Sequence, residues 1–239
     1  MQRKFALVGA VAPLLCLTFA ACAFAQTGTR SVPLTTIDVR ARNQLRELVQ
    51  THPRFEVRSG LNEWIITGKV FLATQADRLP PEMEVALVMT EGRRIPTLVV
   101  NPVFITGISN FDRRKDLLYK QLVLWHEFQH LANHFSGAVP LRPDSLQPGE
   151  SVSDRARYVW QSEHRATRQE WLLAKEWHAE ELLPAIAQWV TLLGEEKGFL
   201  RGFFELMKAT APVITSEPQV FIPLWQGIYE KEMQALPRP

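Results

Sequence analysis

The chain has 239 residues, of which 46% are hydrophobic and 22% are charged, a composition typical of a folded globular protein. Beyond residue 25 the sequence contains 25 basic and 25 acidic residues and no basic stripe, so a nucleic-acid partner is not expected. The only cysteines, Cys16 and Cys22, both precede residue 26, which excludes disulfides and cysteine metal ligands in the rest of the chain.

Residues 1–25 have the pattern of a secretory signal peptide. Arg3 and Lys4 precede a long apolar run, and residues 23–25 provide small side chains at the positions required for cleavage. The alternative is a lipoprotein signal, in which Cys22 would carry a lipid anchor. Either pattern predicts an exported protein, periplasmic or secreted.

The remainder is predicted to form one domain. Residues 26–36 are polar and indicate a flexible leader, and residues 37–239 are sufficient for one domain with a substantial core. No later run approaches the roughly 20 apolar residues of a membrane-spanning helix. We therefore expect no transmembrane segment in the mature chain.

The first half of this domain predicts a helix followed by a small sheet. Apolar residues recur at helical spacing over residues 37–51, with Thr36 or Asp38 as the cap. Residues rich in β-branched and aromatic side chains then predict four strands, at 55–58, 64–73, 84–89 and 96–105. The last two flank a hairpin turn, and Pro102 favours an edge position for the final strand. The expected fold class is α+β, with a small, mostly antiparallel sheet packed on the helix that follows.

The second half predicts long helices. One begins near Ser109, Asn110 or Asp112, any of which can cap it, and ends near residue 135. Another is predicted over residues 151–183, followed by further C-terminal helices. The inward face of the 151–183 helix repeats at alternating steps of four and three residues, at Val152, Ala156, Val159, Glu163, Ala166, Glu170, Leu173 and Trp177.

The helix ending near residue 135 contains an HExxH motif. His126 and His130 lie one turn apart on the same face, a spacing that lets both imidazoles reach one Zn²⁺ ion. Glu127 is placed to take a proton from water at that ion without being a ligand. The alternative is a core helix with two hydrogen-bonded histidines and a surface glutamate.

A hydrolytic zinc site needs a third protein ligand. His134 lies a further turn along the same helix, where the geometry is poor. Glu163 interrupts the apolar face of the following long helix, where a carboxylate needs a reason to be buried. The alternative for Glu163 is a solvent-facing side chain paired with Arg165 or Arg168.

With Glu163 in an ExxA pattern, residues 96–175 resemble the gluzincin metallopeptidases. The resemblance implies an α+β fold, a glutamate ligand on a second helix, and a sheet-edge strand that binds peptide substrate, here residues 99–103. Many members have aspartate four residues after the ligand glutamate, to orient a ligand histidine. This chain has Thr167 there, which leaves Glu170 as the candidate for that task.

The expected function is peptide-bond hydrolysis with zinc on His126, His130 and Glu163, and with Glu127 as general base. Donors for the developing oxyanion are expected among four residues: His164, His178, Tyr158 and Tyr229. Two alternatives stay open at this point. One is a zinc-stabilised, catalytically silent binding or assembly protein of the cell envelope, and the other is hydrolysis of a non-peptide amide in the cell wall.

Overall fold

The computed structural model describes residues 38–74, 82–90, 92–107, 112–143 and 145–237. They form an α+β fold with a small three-stranded sheet and eight α-helices, which confirms the predicted class. The proposed signal peptide, Cys22, the leader at 26–36 and the capping candidates Ser109 and Asn110 lie outside these ranges.

Helix α1, Val39–Thr51, confirms the first predicted helix. Asp38 caps it, because its carboxylate accepts a hydrogen bond of 2.8 Å from the backbone N–H of Ala41. Leu45 and Leu48 are buried in the same hydrophobic core as residues of the sheet and of the HExxH helix.

The sheet contains β1, Phe71–Thr74, β2, Met83–Thr90, and β3, Arg93–Val100, in the order β1-β3-β2. The predicted hairpin is confirmed, since β2 and β3 pair antiparallel from Met83–Val100 to Thr90–Arg93. However, β1 pairs with β3 in parallel. The sheet is therefore mixed rather than mostly antiparallel.

The edge position predicted for the last strand is wrong, and so is the substrate-binding edge strand expected at residues 99–103. β3 is the central strand and is paired on both sides. Pro102 is not inside it, because it occupies the first turn of a short helix, α3, Pro102–Thr106. Asn101 caps this helix by accepting a hydrogen bond of 2.9 Å from the N–H of Val103, so the strand ends before the proline.

The strand predicted at residues 55–58, and the first half of the one predicted at 64–73, are also wrong. A π-helical turn, Val57–Leu61, continues into α2, Asn62–Ile66. The Trp64 ring stacks on Phe128, with ring centroids 5.4 Å apart, so packing against the HExxH helix outweighs the aromatic composition of this segment.

Helix α4, Arg113–Phe135, carries the HExxH motif and confirms the predicted bounds, with Asp112 as its cap. Its middle is buried on all sides, from Tyr119 to Phe128 without interruption. Gly137 follows its end with a φ of 74°, a conformation that favours glycine. A helix surrounded in this way is the centre of the fold.

Helix α5, Val152–Glu176, packs beside α4 but ends earlier than residue 183. The chain leaves it at His178, whose φ is 52°, and continues as a 3₁₀ turn, Glu180–Leu182. Six of the eight predicted inward positions are buried: Ala156, Val159, Glu163, Ala166, Leu173 and Glu170.

Three C-terminal helices, α6, Pro184–Leu193, α7, Glu195–Ile214, and α8, Pro218–Ala235, form a second core against α5. Trp225 anchors it by donating a hydrogen bond of 3.1 Å from its indole N–H to the carbonyl of Ala156. No helix in the described part of the chain combines the length and apolar composition needed to cross a membrane.

Candidate metal centre

The two motif histidines meet as the spacing predicts. Nε2 of His126 lies 3.1 Å from Nε2 of His130, and the two side chains are 6% and 4% exposed as residues. Both nitrogens therefore point at one buried place on α4. Burial of two imidazoles in this way requires partners that satisfy them.

Glu163 reaches the same place from α5. Its Oε2 lies 3.4 Å from Nε2 of His126, and its Oε1 lies 3.5 Å from Nε2 of His130. The residue is only 4% exposed, and Arg168 pairs instead with Glu196, so the solvent-facing alternative for Glu163 is wrong. Two separate helices thus bring three donor groups together.

The outward nitrogens of both histidines are also engaged. Nδ1 of His126 lies 3.0 Å from Oε2 of Glu170, and Nδ1 of His130 lies 3.0 Å from Oγ of Ser162. A carboxylate only accepts, so Nδ1–H of His126 donates to Glu170. With the hydroxyl of Ser162 accepting from His130 in the same way, both Nε2 atoms face Glu163, and each presents a lone pair when its ring is neutral.

This donor set fits a cation of zinc's size. Tetrahedral zinc with nitrogen and oxygen ligands holds its donors about 3.3 Å apart, given the usual metal–ligand distances. The distances among the two Nε2 atoms and the Glu163 oxygens, 3.1, 3.4 and 3.5 Å, are close to this value. Two lone pairs and a carboxylate would repel one another at this range unless a proton or a cation lay between them.

The two histidines differ in their affinity for a proton. Burial lowers the pKa of His130 to about 4, although the charge of Glu163 opposes the shift. Burial also disfavours the charged form of His126, but its contacts with Glu163 and Glu170 outweigh burial and raise its pKa well above the usual value. A divalent cation would compete with the proton on His126, since the metal needs the neutral ring.

Glu127 lies beside this group and is only 1% exposed. One oxygen of its carboxylate and one nitrogen from each of His126 and His130 lie within 4.8 Å of one another. At that range the carboxylate can act on a water at the site, or it can approach a bound ion as a further ligand.

The four candidate oxyanion donors have different surroundings. The His164 ring packs against Phe199 and Phe203, Tyr229 stacks on Phe204, and His178 is exposed beyond α5. Tyr158 is the only one of the four whose pKa is raised by burial and also by the charge of Glu163. Its hydroxyl accepts a hydrogen bond of 3.0 Å from the N–H of Arg142, which leaves its own proton free to be donated.

A residue that the sequence did not single out, Glu82, lies near the outer side of this centre. Burial raises the pKa of Glu82 to about 7, and the charge of Glu170 adds to the shift. The Tyr119 hydroxyl lies 3.4 Å from Oε1 of Glu82. No periodic or motif signal could have found Glu82, because it lies just before β2 and belongs to no repeating pattern.

No family model matches the chain, and neither a curated protein nor a solved structure does. The geometry of His126, Glu127, His130 and Glu163 and of their partners is therefore the basis for proposing a function.

Proposed function

We propose that this protein is an exported zinc-dependent metallopeptidase of the gluzincin type, with peptides or proteins as its substrates. The observation that carries the proposal is the approach of Glu163, on α5, to the two Nε2 atoms of the HExxH pair on α4, at 3.4 and 3.5 Å. Zinc bound between these three groups would compensate the cost of burying a carboxylate beside two imidazoles.

In this proposal His126, His130 and Glu163 hold the metal. A zinc ion bound by these residues would supply Lewis-acid chemistry, that is, activation of water and polarisation of the scissile carbonyl. Glu127 takes the proton that the attacking water loses and delivers it to the leaving amine. Glu170 and Ser162 hold the two imidazoles in the tautomer that leaves Nε2 able to bind metal.

The burial of the centre favours a second candidate function. The four central residues are between 1% and 6% exposed, which suits a closed site. Glu127 is also close enough to complete a four-donor, closed site of the structural kind. This arrangement would suit a zinc-stabilised, catalytically silent binding or assembly protein of the cell envelope.

A protein-degradation assay separates the two candidates. The peptidase proposal predicts that the mature chain degrades casein, that a chelator stops the reaction, and that added zinc restores it. Glu127→Gln is expected to retain zinc and lose activity. If wild type and Glu127→Gln are equally inactive and Glu127→Gln also loses zinc, the closed structural site is the correct assignment.

Export is tested independently of the chemistry. Mass spectrometry of the exported protein is expected to give an N-terminus at Gln26. An acylated N-terminal Cys22 would instead identify a lipoprotein, and an intact Met1 would contradict export by either signal.

A further inference from the structure

A second candidate site lies away from the metal centre. Helices α1 and α2 and strand β1 line a cavity of about 560 Å³ that is open to solvent, and none of its lining residues belongs to α4 or α5. This volume lies within the range of roughly 300–1,000 Å³ found for small-molecule pockets.

The walls of this cavity are mostly apolar. Ile66 lines it while remaining 75% exposed, so a large apolar side chain already faces solvent there. A ligand that covers it would remove apolar surface from water, which is favourable. The principal wall residues are Leu45, Val49, Ile65, Ile66, Phe71 and Leu72.

The charge at the cavity is of one sign. Arg42 and Arg46 line it from one side of α1, a single helical turn apart, and both are exposed. No carboxylate is present among the described lining residues, whose other polar members are Gln50 and Asn62. Two guanidinium groups beside an apolar wall match an anionic head attached to an alkyl chain.

We propose that this cavity binds a free carboxylate of a medium-length acyl chain, with the carboxylate at Arg42 and Arg46 and the chain along the apolar wall. This proposal is independent of the metal centre.

Calorimetric titration of the full chain with decanoate, below its micelle concentration, tests the proposal. Saturable binding with one site is expected, whereas decyltrimethylammonium, which has the same chain and the opposite charge, is not expected to bind. Absence of decanoate binding, or equal binding of the cationic compound, would overturn the proposal. Vesicles of phosphatidylglycerol are expected not to retain the chain, and retention with no decanoate binding would indicate a membrane surface instead.

Matched variants locate the binding. Arg46→Gln is expected to weaken decanoate binding about tenfold, the loss typical of one charge-assisted contact. Arg40→Gln makes the same change at an exposed position of α1 outside the cavity and is expected to have no effect. Ile66→Ser removes an apolar side chain from the wall and leaves both arginines in place. This variant is also expected to bind decanoate more weakly. Equal affinities for wild type, Arg46→Gln and Ile66→Ser would place the ligand elsewhere and contradict the proposal.

Discussion

Oε2 of Glu170 lies 3.0 Å from Nδ1 of His126, although the two residues are on different helices and 44 positions apart. The contact fixes both the orientation of the imidazole and the nitrogen that carries its proton. It therefore connects the way α5 packs on α4 to the ability of His126 to bind a metal.

Replacing Glu170 should weaken metal binding without removing a ligand. Glu170→Gln keeps the volume of the side chain but loses the charge, and we expect zinc affinity to fall about 10- to 100-fold. A competition titration against a chromogenic chelator measures the change. Glu176→Gln, at the exposed end of α5, is the matched control and should bind zinc as wild type does. Equal affinities for the two variants would remove Glu170 from this role.

Zinc binding should release a proton at neutral pH. Burial disfavours the charged ring of His126, but contacts with Glu163 and Glu170 outweigh burial and raise its pKa well above the usual value, so zinc must displace a proton from this ring. Affinity should therefore fall as the pH falls. Calorimetry in two buffers with different heats of ionisation counts the protons, and we expect about one per zinc ion. Binding heats that are identical in the two buffers would contradict this linkage.

His52 should contribute a loss of stability in mild acid, opposite in sign to the contributions of His126 and Glu82, whose pKa values are raised. His52 is fully buried, its Nδ1 accepts a hydrogen bond from the N–H of Arg54, and its Nε2–H donates to the carbonyl of Gln121. Burial lowers the pKa of His52 from 6.5 to about 4. Between pH 6.5 and pH 4 the unfolded chain therefore binds a proton at this residue and the folded protein does not. Between pH 8 and pH 5 this difference in proton binding lowers the free energy of unfolding by about 2 kcal/mol.

Urea unfolding at the two pH values measures this effect. His52→Gln should be less stable than wild type at pH 8, but it should lose less stability on acidification. His130 and His164 also have their pKa values lowered to about 4 by burial and will continue to contribute in the variant. The same pH dependence in both proteins would contradict the role of His52.

Two glycines of α7 should be needed for its close approach to α6. A Cβ at Gly198 would lie 2.3 Å from the Cα of Val190, and one at Gly202 would lie 2.7 Å from the Cα of Ile186. Gly198→Ala should destabilise the fold by about 2–4 kcal/mol, because backbone rather than a flexible side chain must move. Thermal or urea unfolding measures the change.

Gly227→Ala in α8 is the control for this prediction. Nothing lies within 4 Å of a Cβ at that position, and alanine favours a helix over glycine by up to about 1 kcal/mol. It should therefore be neutral or stabilising. Destabilisation of similar size by both variants would mean that the close approach of α6 and α7 is not the cause.

The two helices that carry the site could be predicted because separate features of the sequence indicated the same element. In α4 the cap at Asp112, the apolar run and the HExxH spacing all indicated one helix, and in α5 the periodic face placed Glu163 inward. The segment around Trp64 departs from the strand that its aromatic and β-branched composition favours, because its buried apolar residues follow a helical spacing. Val57 and Leu61 are both buried and lie four residues apart, a spacing typical of a helix.

Other features depend on contacts that no local pattern encodes. The central position of β3 follows from its parallel pairing with β1, a contact between segments distant in the chain. Glu82 comes near Glu170 only through the packing of the sheet on the helices. The need for glycine at position 198 becomes visible only when the backbone of α6 is in place beside it.

The metal content of the purified mature chain, measured beside that of Glu163→Ala, tests the central claim most directly. We expect one zinc ion per wild-type chain and a large loss of affinity in the variant, with Glu163→Gln showing the same loss at nearly unchanged side-chain volume. Circular dichroism confirms that each variant is folded. A wild-type chain that binds no zinc, or folded Glu163 variants that bind it with unchanged stoichiometry and affinity, would contradict the account.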